Sequence, residues 1–181
     1  MNLGISICGK RISVVGTDGS GKTTLARQIS QRLAIPHVEL DAINHQPNWT
    51  EAPPEVFRQR VEQALSGDSW VVDGNYSKVR DIVWSHADTV IWLDYPLPLI
   101  MQRVIWRTLK RVITQEELWN GNRETWGIVF STNSMPFWTL RTYKKKRKDY
   151  PILLSKPEYS HLKVVHLPSP KTTQAWILNL T

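Results

Sequence analysis

One octapeptide constrains this chain more than any other stretch. Residues 16–23 read GTDGSGKT, which fits the spacing G-x-x-x-x-G-K-[ST]. Residues 11–15 before it are apolar and rich in β-branched side chains, as a buried strand would be. Residues 24–34 after it carry leucine and isoleucine at helical spacing. A strand, a glycine-rich turn and a helix are therefore contiguous, which is the local order of a phosphate-binding loop.

The residue types of this loop suit phosphate binding. Glycines let the backbone approach an anion, and successive backbone N–H groups then face it. Lys22 is predicted to reach the β- and γ-phosphates, and the Thr23 hydroxyl to ligate Mg²⁺. The residues expected to hold the nucleotide are Gly16, Thr17, Asp18, Gly19, Ser20, Gly21, Lys22, Thr23 and Thr24. The alternative is a glycine-rich turn with a chance Lys-Thr pair.

The length of the chain predicts a single domain over residues 1–181, large enough to bury a core. No apolar run approaches the roughly 20 residues of a membrane-spanning helix, so no membrane partner is expected. The first ten residues lack the pattern of an export signal, and we expect the chain in the cytoplasm. Cys8 is the single cysteine and is expected to be a buried, inert thiol. The sequence leaves the oligomeric state open.

The charge of the chain favours anionic partners. The net charge is +7, which suits nucleotides, phosphorylated metabolites or nucleic acid. Residues 144–148 read KKKRK and concentrate five positive charges. Such a run can bind nucleic acid without sequence preference. The alternative, which we favour, is the solvated end of a helix that packs against the sheet.

Two aspartates follow predicted strands, at the edge where open α/β sheets bind ligands. Residues 36–41 predict a short strand that ends at Asp41, and residues 42–50 have the composition of a loop that walls an acceptor site. Residues 70–72 predict a buried strand that runs into Asp73, the candidate Walker B acid that serves the metal. For both aspartates a turn-forming role is the alternative.

The rest of the chain predicts alternating strands and helices. A strand over 89–93 leads into a helix over 98–112, and a strand over 162–167 leads into a helix over 170–180. Residues 114–117 have the form of a capping box and predict a further helix start. The alternation indicates an α/β fold in which helices flank a mostly parallel sheet.

A basic stripe and a lid are predicted after the 89–93 strand. Four cations share one face of the helix over 98–112, namely Arg103, Arg107, Lys110 and Arg111. Because this helix follows a strand that ends beside the nucleotide, we favour phosphate contact over a solvated stripe. Residues 108–140, aromatic and polar up to Pro136, are read as a helical lid, and a helix is predicted over 136–149.

Three motifs make the chain resemble a P-loop kinase of the adenylate kinase type. They are the loop 16–23, the sequence VVDG at 71–74, and VIWLDYP at 90–96 with Arg103 and Arg107 seven and eleven positions after the proline. The resemblance implies a three-layer P-loop NTPase fold with a helical lid, and ATP and Mg²⁺ as cofactors. It also implies that Arg103 lies over the nucleotide base and that Arg107 contacts phosphate.

Nearly the whole chain is similar to a bacterial group of adenylate kinase-like P-loop proteins, some of them labelled DNA topology modulation or FlaR-related. The stretches typical of that group are ELD at 39–41, PNW at 47–49, DGNYS at 73–77 and ELWNGNRE at 117–124. The resemblance implies the fold. It leaves the activity open between a kinase, a nucleic-acid-associated ATPase and a nucleotide-binding regulator.

The chain departs from adenylate kinases at the predicted acceptor side. Asn75-Tyr76-Ser77 stands where those enzymes continue Phe-Pro-Arg, so the arginine for an AMP phosphate is missing unless Arg80 substitutes. An acceptor that is already a phosphate needs no base, whereas a hydroxyl is helped by a carboxylate that takes its proton. Shikimate-type and nucleoside-type kinases resemble this chain in placing an acid there, so Asp41 favours a hydroxyl-bearing acceptor.

The leading hypothesis is ATP- and Mg²⁺-dependent phosphoryl transfer to a small acceptor, which is a nucleoside, a nucleotide or a hydroxyl-bearing metabolite. Lys22 is predicted to hold the triphosphate, and Asp41 to orient or deprotonate the acceptor. The arginines expected to close over the transferring group are Arg103, Arg107 and Arg123. The acceptor and the choice of ATP over GTP stay open, because a P-loop reads phosphates and not the base.

Overall fold

A computed structural model describes residues 9–129 and 134–180 of the chain. In these residues the elements follow in the order β1 Arg11–Gly16, α1 Lys22–Leu33, β2 His37–Glu39, α2 Leu40–Asn44, α3 Pro54–Ala64, β3 Trp70–Asp73, α4 Arg80–His86, β4 Thr89–Leu93, α5 Leu97–Thr114, α6 Trp126–Val129, α7 Met135–Leu154, β5 Lys163–Leu167 and α8 Pro170–Leu178. Cys8 and part of the predicted lid, residues 130–133, lie outside the described residues, so the predictions made for them stay predictions.

The described strands form one parallel sheet in the order β2-β3-β1-β4-β5. Strand β1 is central and pairs with β3 on one side and β4 on the other. The chain order therefore diverges at β1, and a crevice opens at its carboxyl end. Register pairs Val14 with Asp73 and Gly16 with Leu93, which brings the ends of three strands to the start of the phosphate-binding loop.

Alternate side chains of the strands fill two buried layers, one on each face of the sheet. On one face Val72 and Val90 pack with Phe57 of α3. On the other face Val71 and Ile91 pack with residues of α1, α5 and α8. The fold is therefore three layers, helix–sheet–helix, and confirms the predicted fold class. Among the helices of the described residues, none has the length and apolar composition needed to cross a bilayer.

Helix α7 connects these two layers across the carboxyl edge of the sheet. Its Tyr143 packs in the layer of α1 and α5, whereas its Tyr150 packs in the layer of α3 and α4. The Tyr143 hydroxyl donates to the Tyr95 carbonyl at 3.2 Å, and the Tyr150 hydroxyl donates to Asn75 Oδ1 at 2.8 Å. The basic run 144–148 lies between these two anchors and is therefore placed over the phosphate-binding crevice.

The prediction of a strand that ends at Asp41 is wrong by two residues. Strand β2 ends at Glu39, which lies opposite Asp73, the last residue of β3. With no partner beyond that point the chain turns into the short helix α2, and Asp41 lies in its first turn. The loop predicted over 42–50 is accordingly α2 followed by a 3-10 turn at Pro47–Trp49.

The helix predicted to start at 114 is also absent. Helix α5 continues through Thr114 and ends at Gln115, which adopts the left-handed conformation with φ 49° and ψ 37°. That conformation ends a helix, and the chain continues in extended form to a 3-10 turn at Trp119–Gly121. The Thr-x-x-Glu pattern at 114–117 thus spans a helix end instead of a helix start.

Candidate active site

The phosphate-binding loop joins β1 to α1 in conformations that its glycines permit. Gly19 has a φ of 84° and Gly21 a φ of 94°, both in the left-handed region that side chains disfavour. A Cβ at Gly19 would lie 2.4 Å from Val104 Cγ2, so the loop also packs closely on α5. The loop leads directly into the amino end of α1, where backbone N–H groups favour an anion.

Two lysines meet at the carboxylate of Asp18 in this loop. Lys22 Nζ lies 3.3 Å from Asp18 Oδ1, and Lys146 Nζ of α7 lies 2.9 Å from Asp18 Oδ2. Burial alone would raise the pKa of Asp18, but the two ammonium groups outweigh burial and hold the pKa well below its usual range. At least one member of the basic run 144–148 is therefore not solvated, but part of the loop's charge arrangement.

Thr23 and Asp73 form the candidate metal site. The Thr23 hydroxyl donates to Asp73 Oδ2 at 2.6 Å, and Asp73 is only 5% exposed. Both groups supply oxygen ligands, which Mg²⁺ prefers. The two predicted metal residues are thus adjacent, and their chemistry fits the predicted ion.

His37 links this carboxylate to the opposite side of the crevice. Its Nε2 lies 2.8 Å from Asp73 Oδ1, and its Nδ1 lies 3.9 Å from Glu39 Oε1. Glu39 also accepts a hydrogen bond from Trp119 Nε1 at 3.1 Å and one from Arg27 at 3.4 Å. One imidazole therefore connects the candidate metal carboxylate to the segment 117–124.

Arg103 of α5 lies against the phosphate-binding loop. Its Nη1 donates to the Ser20 carbonyl at 3.3 Å, and its guanidinium lies 5.4 Å from the centre of the Tyr95 ring. Arg103 therefore borders the loop, and its contact with the nucleotide stays a prediction.

Arg107 lies one turn further along α5 than Arg103. Its Nε is buried and has no hydrogen-bond partner among the described residues. Burial and the neighbouring Arg111 lower the pKa of Arg107. The carboxylates of Asp18, Glu124 and Asp41 oppose that shift. The same guanidinium is therefore attracted both by a loop carboxylate and by the predicted acceptor carboxylate.

Side chains around Asp41 form what we call the acceptor-side cluster. The Tyr76 hydroxyl donates to Asp41 Oδ1 at 2.6 Å and lies 3.4 Å from His45 Nε2. The His45 ring stacks on Trp119 at 5.9 Å and meets Trp49 edge-on at 5.5 Å. Glu39 belongs to the cluster because it accepts the hydrogen bond of Trp119. The members of the acceptor-side cluster are Glu39, Asp41, His45, Trp49, Tyr76 and Trp119.

The hydroxyl of Tyr76 is a fixed donor within this cluster. Burial and the Asp41 carboxylate both raise the pKa of Tyr76, so the phenol stays protonated at neutral pH. One oxygen of the Asp41 carboxylate therefore accepts a hydrogen bond from Tyr76. The other carboxylate oxygen forms no hydrogen bond to the described residues.

Segment 117–124, part of the predicted lid, is fastened to the chain around His45. Asn122 accepts a hydrogen bond from the Trp49 N–H at 2.8 Å and donates one to the Gln46 carbonyl at 2.9 Å. Asn120 donates to the His45 carbonyl, and Trp49 Nε1 donates to the Arg123 carbonyl at 3.1 Å. These contacts cover the acceptor-side cluster with backbone from a distant part of the chain.

Most predicted site residues lie around one crevice, whereas the Arg123 side chain is directed at Glu117 within the segment that covers the acceptor-side cluster. The Arg123 side chain is half exposed and pairs with Glu117 at 3.4 Å, so its catalytic role stays a prediction. The less exposed arginine of this region is Arg111, which pairs with Glu124 at 3.2 Å.

Sequence reasoning assigned no role to His37, and it treated Lys146 only as a member of the basic run 144–148 and not as a residue of the phosphate-binding site. For both residues, the spacing of neighbouring residues in the sequence indicates a side chain on the crevice side. His37 and Glu39 alternate in a strand and therefore share one face. Lys146 stands three residues after Tyr143 and four before Tyr150, the spacing of one helix face. Because both tyrosines are anchored in the core, that face turns toward the loop.

Residues 12–94 match the family described as ATPase family associated with various cellular activities (AAA). The chain is 27% identical over 146 residues to a shikimate kinase of Synechococcus elongatus, which covers 68% of this chain and 76% of that relative. The family match over residues 12–94 contains the loop, the candidate metal site and strand β2.

Two solved structures share the fold. The shikimate kinase from Acinetobacter baumannii in complex with shikimate superposes with a TM-score of 0.55 and 17% identity, over 96% of this chain and 90% of that one. The gluconokinase from Sinorhizobium meliloti 1021 gives a TM-score of 0.54 and 16% identity, over 96% of this chain and 94% of that one. From its loop, its fold and its sequence relatives, the chain is a P-loop kinase that is adenylate kinase-like in fold.

Proposed function

We propose that the chain transfers the γ-phosphoryl group of ATP, with Mg²⁺, to a hydroxyl group of a small acceptor. The observation that carries the proposal is the position of Arg107. Its buried Nε has no partner among the described residues, and it feels the charge of both Asp18 in the loop and Asp41 in the acceptor-side cluster. A cation between donor and acceptor is where the transferring group needs charge stabilisation.

The loop residues are proposed to hold the triphosphate. The Lys22 ammonium group, which pairs with Asp18 in this structure, would contact phosphate oxygens of the bound triphosphate. Thr23 and Asp73 would hold Mg²⁺, which when bound neutralises negative charge on the phosphates. Arg103 would border the nucleotide, and Lys146 adds a second ammonium group at the same loop.

The acceptor side is proposed to position a hydroxyl group. Asp41, oriented by the Tyr76 hydroxyl at 2.6 Å, would accept the hydroxyl proton with its second oxygen. The aromatic members of the acceptor-side cluster and segment 117–124 would exclude water, which limits wasteful ATP hydrolysis. The shikimate kinase relative has a small-molecule acceptor by its name, which supports the reaction class. The identity of the acceptor here is part of the proposal.

The test is ADP release from Mg-ATP over a panel of nucleosides, nucleoside monophosphates, hydroxylated metabolites and nucleic acids. Stimulation by one small compound, with a phosphorylated product, is the expected result. Lys22→Ala should abolish turnover and leave the fold intact by circular dichroism. The matched control is Lys156→Ala, because Lys156 is an exposed partner of Glu158. Turnover retained in Lys22→Ala would overturn the proposal.

A nucleic-acid-associated ATPase is the second candidate, and one observation favours it. Lys144, Lys145 and Lys148 remain exposed on α7, while Lys146 faces the loop. Three exposed ammonium groups on one helix can contact a phosphate backbone. In that case single- or double-stranded nucleic acid would stimulate ADP release, less so at higher salt, and small acceptors would not. The relation to the DNA topology modulation or FlaR-related group likewise stays a prediction.

A further inference from the structure

The acceptor-side cluster is anionic. It contains two carboxylates, Glu39 and Asp41, together with a phenol, two indoles and one imidazole. Every lysine and arginine of the chain lies in the described residues, so the cations near the cluster can be followed one by one. The positions and partners of these cations determine whether a negatively charged acceptor could be bound there.

The cations beside the cluster are already neutralised. Arg27 reaches Glu39 itself at 3.4 Å, and Arg111 pairs with Glu124 at 3.2 Å. The other two pairs are Lys78 with Glu51 at 2.8 Å and Arg123 with Glu117 at 3.4 Å.

Arg80, the candidate substitute for the missing arginine, lines a small cavity together with Asn75 and Tyr76, but its guanidinium lies over an aromatic ring. Its guanidinium lies 5.5 Å from the centre of the Trp84 ring, and its charge acts on Tyr150 and Tyr159. Of the arginines around the cluster, Arg107 alone has a buried nitrogen without a partner among the described residues, and in the proposed reaction the transferred phosphoryl group would occupy it.

This balance disfavours an acidic acceptor. Carboxylates and phosphates are bound in proteins mainly by arginine forks or free ammonium groups. An anionic acceptor would here meet Asp41, which forms no ion pair among the described residues, and Glu39, whose charge Arg27 already balances, while the cations beside the cluster already have partners. A hydroxyl group, by contrast, donates to a carboxylate, and indole and imidazole faces bury the flat side of a ring.

We infer that the acceptor is an uncharged hydroxyl compound with a ring face, such as a nucleoside or a neutral sugar, and not a phosphate- or carboxylate-bearing compound. The inference rests on the proposed function. In the step, the acceptor oxygen forms a bond to the γ-phosphorus while the bond from that phosphorus to the β–γ bridging oxygen breaks. The hydroxyl proton passes to Asp41, and ADP leaves with the bridging oxygen.

The test compares matched neutral and anionic compounds with Mg-ATP. The pairs are nucleosides with their 5′-monophosphates, glucose with gluconate, and shikimate methyl ester with shikimate. We expect the neutral member of the accepted pair to have a kcat/KM at least about tenfold higher, because like charges brought together are strongly unfavourable. Equal or faster phosphorylation of an anionic member overturns the inference and leaves the kinase function standing. No phosphorylated product from any compound overturns the proposed function, and the inference with it.

Three variants, two of which alter charge, locate the selectivity. Tyr76→Arg places a guanidinium beside Asp41 and should move the ratio of anionic to neutral kcat/KM upward by about tenfold. Tyr76→Phe removes the same hydroxyl without adding charge and should leave that ratio unchanged. Glu39→Gln removes one negative charge at nearly constant shape and should raise the ratio severalfold even if Tyr76→Arg does not fold. Unchanged ratios in both charge-altering variants would contradict the inference.

Discussion

At the scale of single residues, Arg107 is the group on which the proposed chemistry depends most. Its buried Nε has no hydrogen-bond partner among the described residues. Burial of an unpartnered polar group is unfavourable, and a bound anion would compensate it. We expect Arg107→Ala to lower kcat by about 10²–10³-fold, with a smaller change in the KM for ATP. Steady-state kinetics with the accepted compound measure both constants.

The matched control for that variant is Arg58→Ala. Arg58 forms an exposed two-bond pair with Asp81 at 2.7 Å and 3.0 Å, so its loss removes a guanidinium without touching the crevice. A fall in kcat of similar size in both variants would mean that Arg107 acts through general stability. The same assay on Arg123→Ala tests the role predicted for that exposed residue.

His37 is expected to act as a positioning residue for Asp73. The imidazole occupies Asp73 Oδ1 at 2.8 Å and leaves Oδ2 directed at Thr23. His37→Ala should weaken apparent Mg²⁺ affinity by about 10–100-fold, as loss of a metal ligand's hydrogen-bond partner does. Titration of activity with Mg²⁺ at saturating ATP gives the value. An unchanged Mg²⁺ midpoint, with only lower thermal stability, would contradict the positioning role.

At the scale of elements, helix α7 is fixed to the phosphate-binding loop by a part-buried hydrogen-bond chain in addition to the Lys146–Asp18 ion pair. Tyr150 donates to Asn75 Oδ1 at 2.8 Å, and Asn75 contacts both the N–H and the carbonyl of Gly16, at 3.3 Å and 2.5 Å. Burial raises the pKa of Tyr150, so its hydroxyl remains a donor throughout the neutral range.

Tyr150→Phe should therefore lower the free energy of unfolding by about 1 kcal/mol, measured by urea denaturation. The loss is modest because Asn75 keeps its contacts with Gly16. Tyr159→Phe is the control, since the Tyr159 hydroxyl neighbours the exposed Glu158 and its loss should change stability by less than about 0.5 kcal/mol. Equal losses in both variants would show that the contact with Asn75 adds nothing.

Elements whose pattern is local were predictable from the sequence, and elements fixed by distant partners were not. The loop 16–23 and β3 carry their own signals in spacing and apolar content. The end of β2 is set by the end of β3 at Asp73, which no local pattern of residues 36–41 records. Likewise the break at Gln115 depends on a left-handed residue within a stretch whose side chains match a capping box.

In the candidate site, too, some contacts were predictable from local sequence and others depend on distant parts of the chain. The pairing of Thr23 with Asp73 follows from motif and topology. The contact of Lys146 with Asp18, by contrast, requires that α7 cross the carboxyl edge of the sheet. Within a run of five cations at 144–148, composition alone does not distinguish the lysine that turns inward.

At the scale of the whole molecule, Asp18 couples the stability of the fold to pH. Burial opposes its ionisation, but Lys22 and Lys146 outweigh burial, so its folded-state pKa lies below the value in the unfolded chain. A carboxyl group with a depressed pKa stabilises the fold fully above its unfolded pKa of about 4. That stabilisation is lost as pH falls below that value toward the folded-state pKa.

Asp18→Asn should therefore flatten the dependence of the free energy of unfolding on pH below about pH 4. The chain already carries a net charge of +7, so acid adds self-repulsion in every variant. Asp68→Asn removes a carboxylate at an exposed position and therefore serves as the control for this general effect of self-repulsion. Urea denaturation of both variants and the parent chain at several pH values gives the slopes. If Asp18→Asn and Asp68→Asn have the same slope, the two lysines do not hold Asp18 ionised in the fold, and the charge arrangement at the phosphate-binding loop is different from the one described.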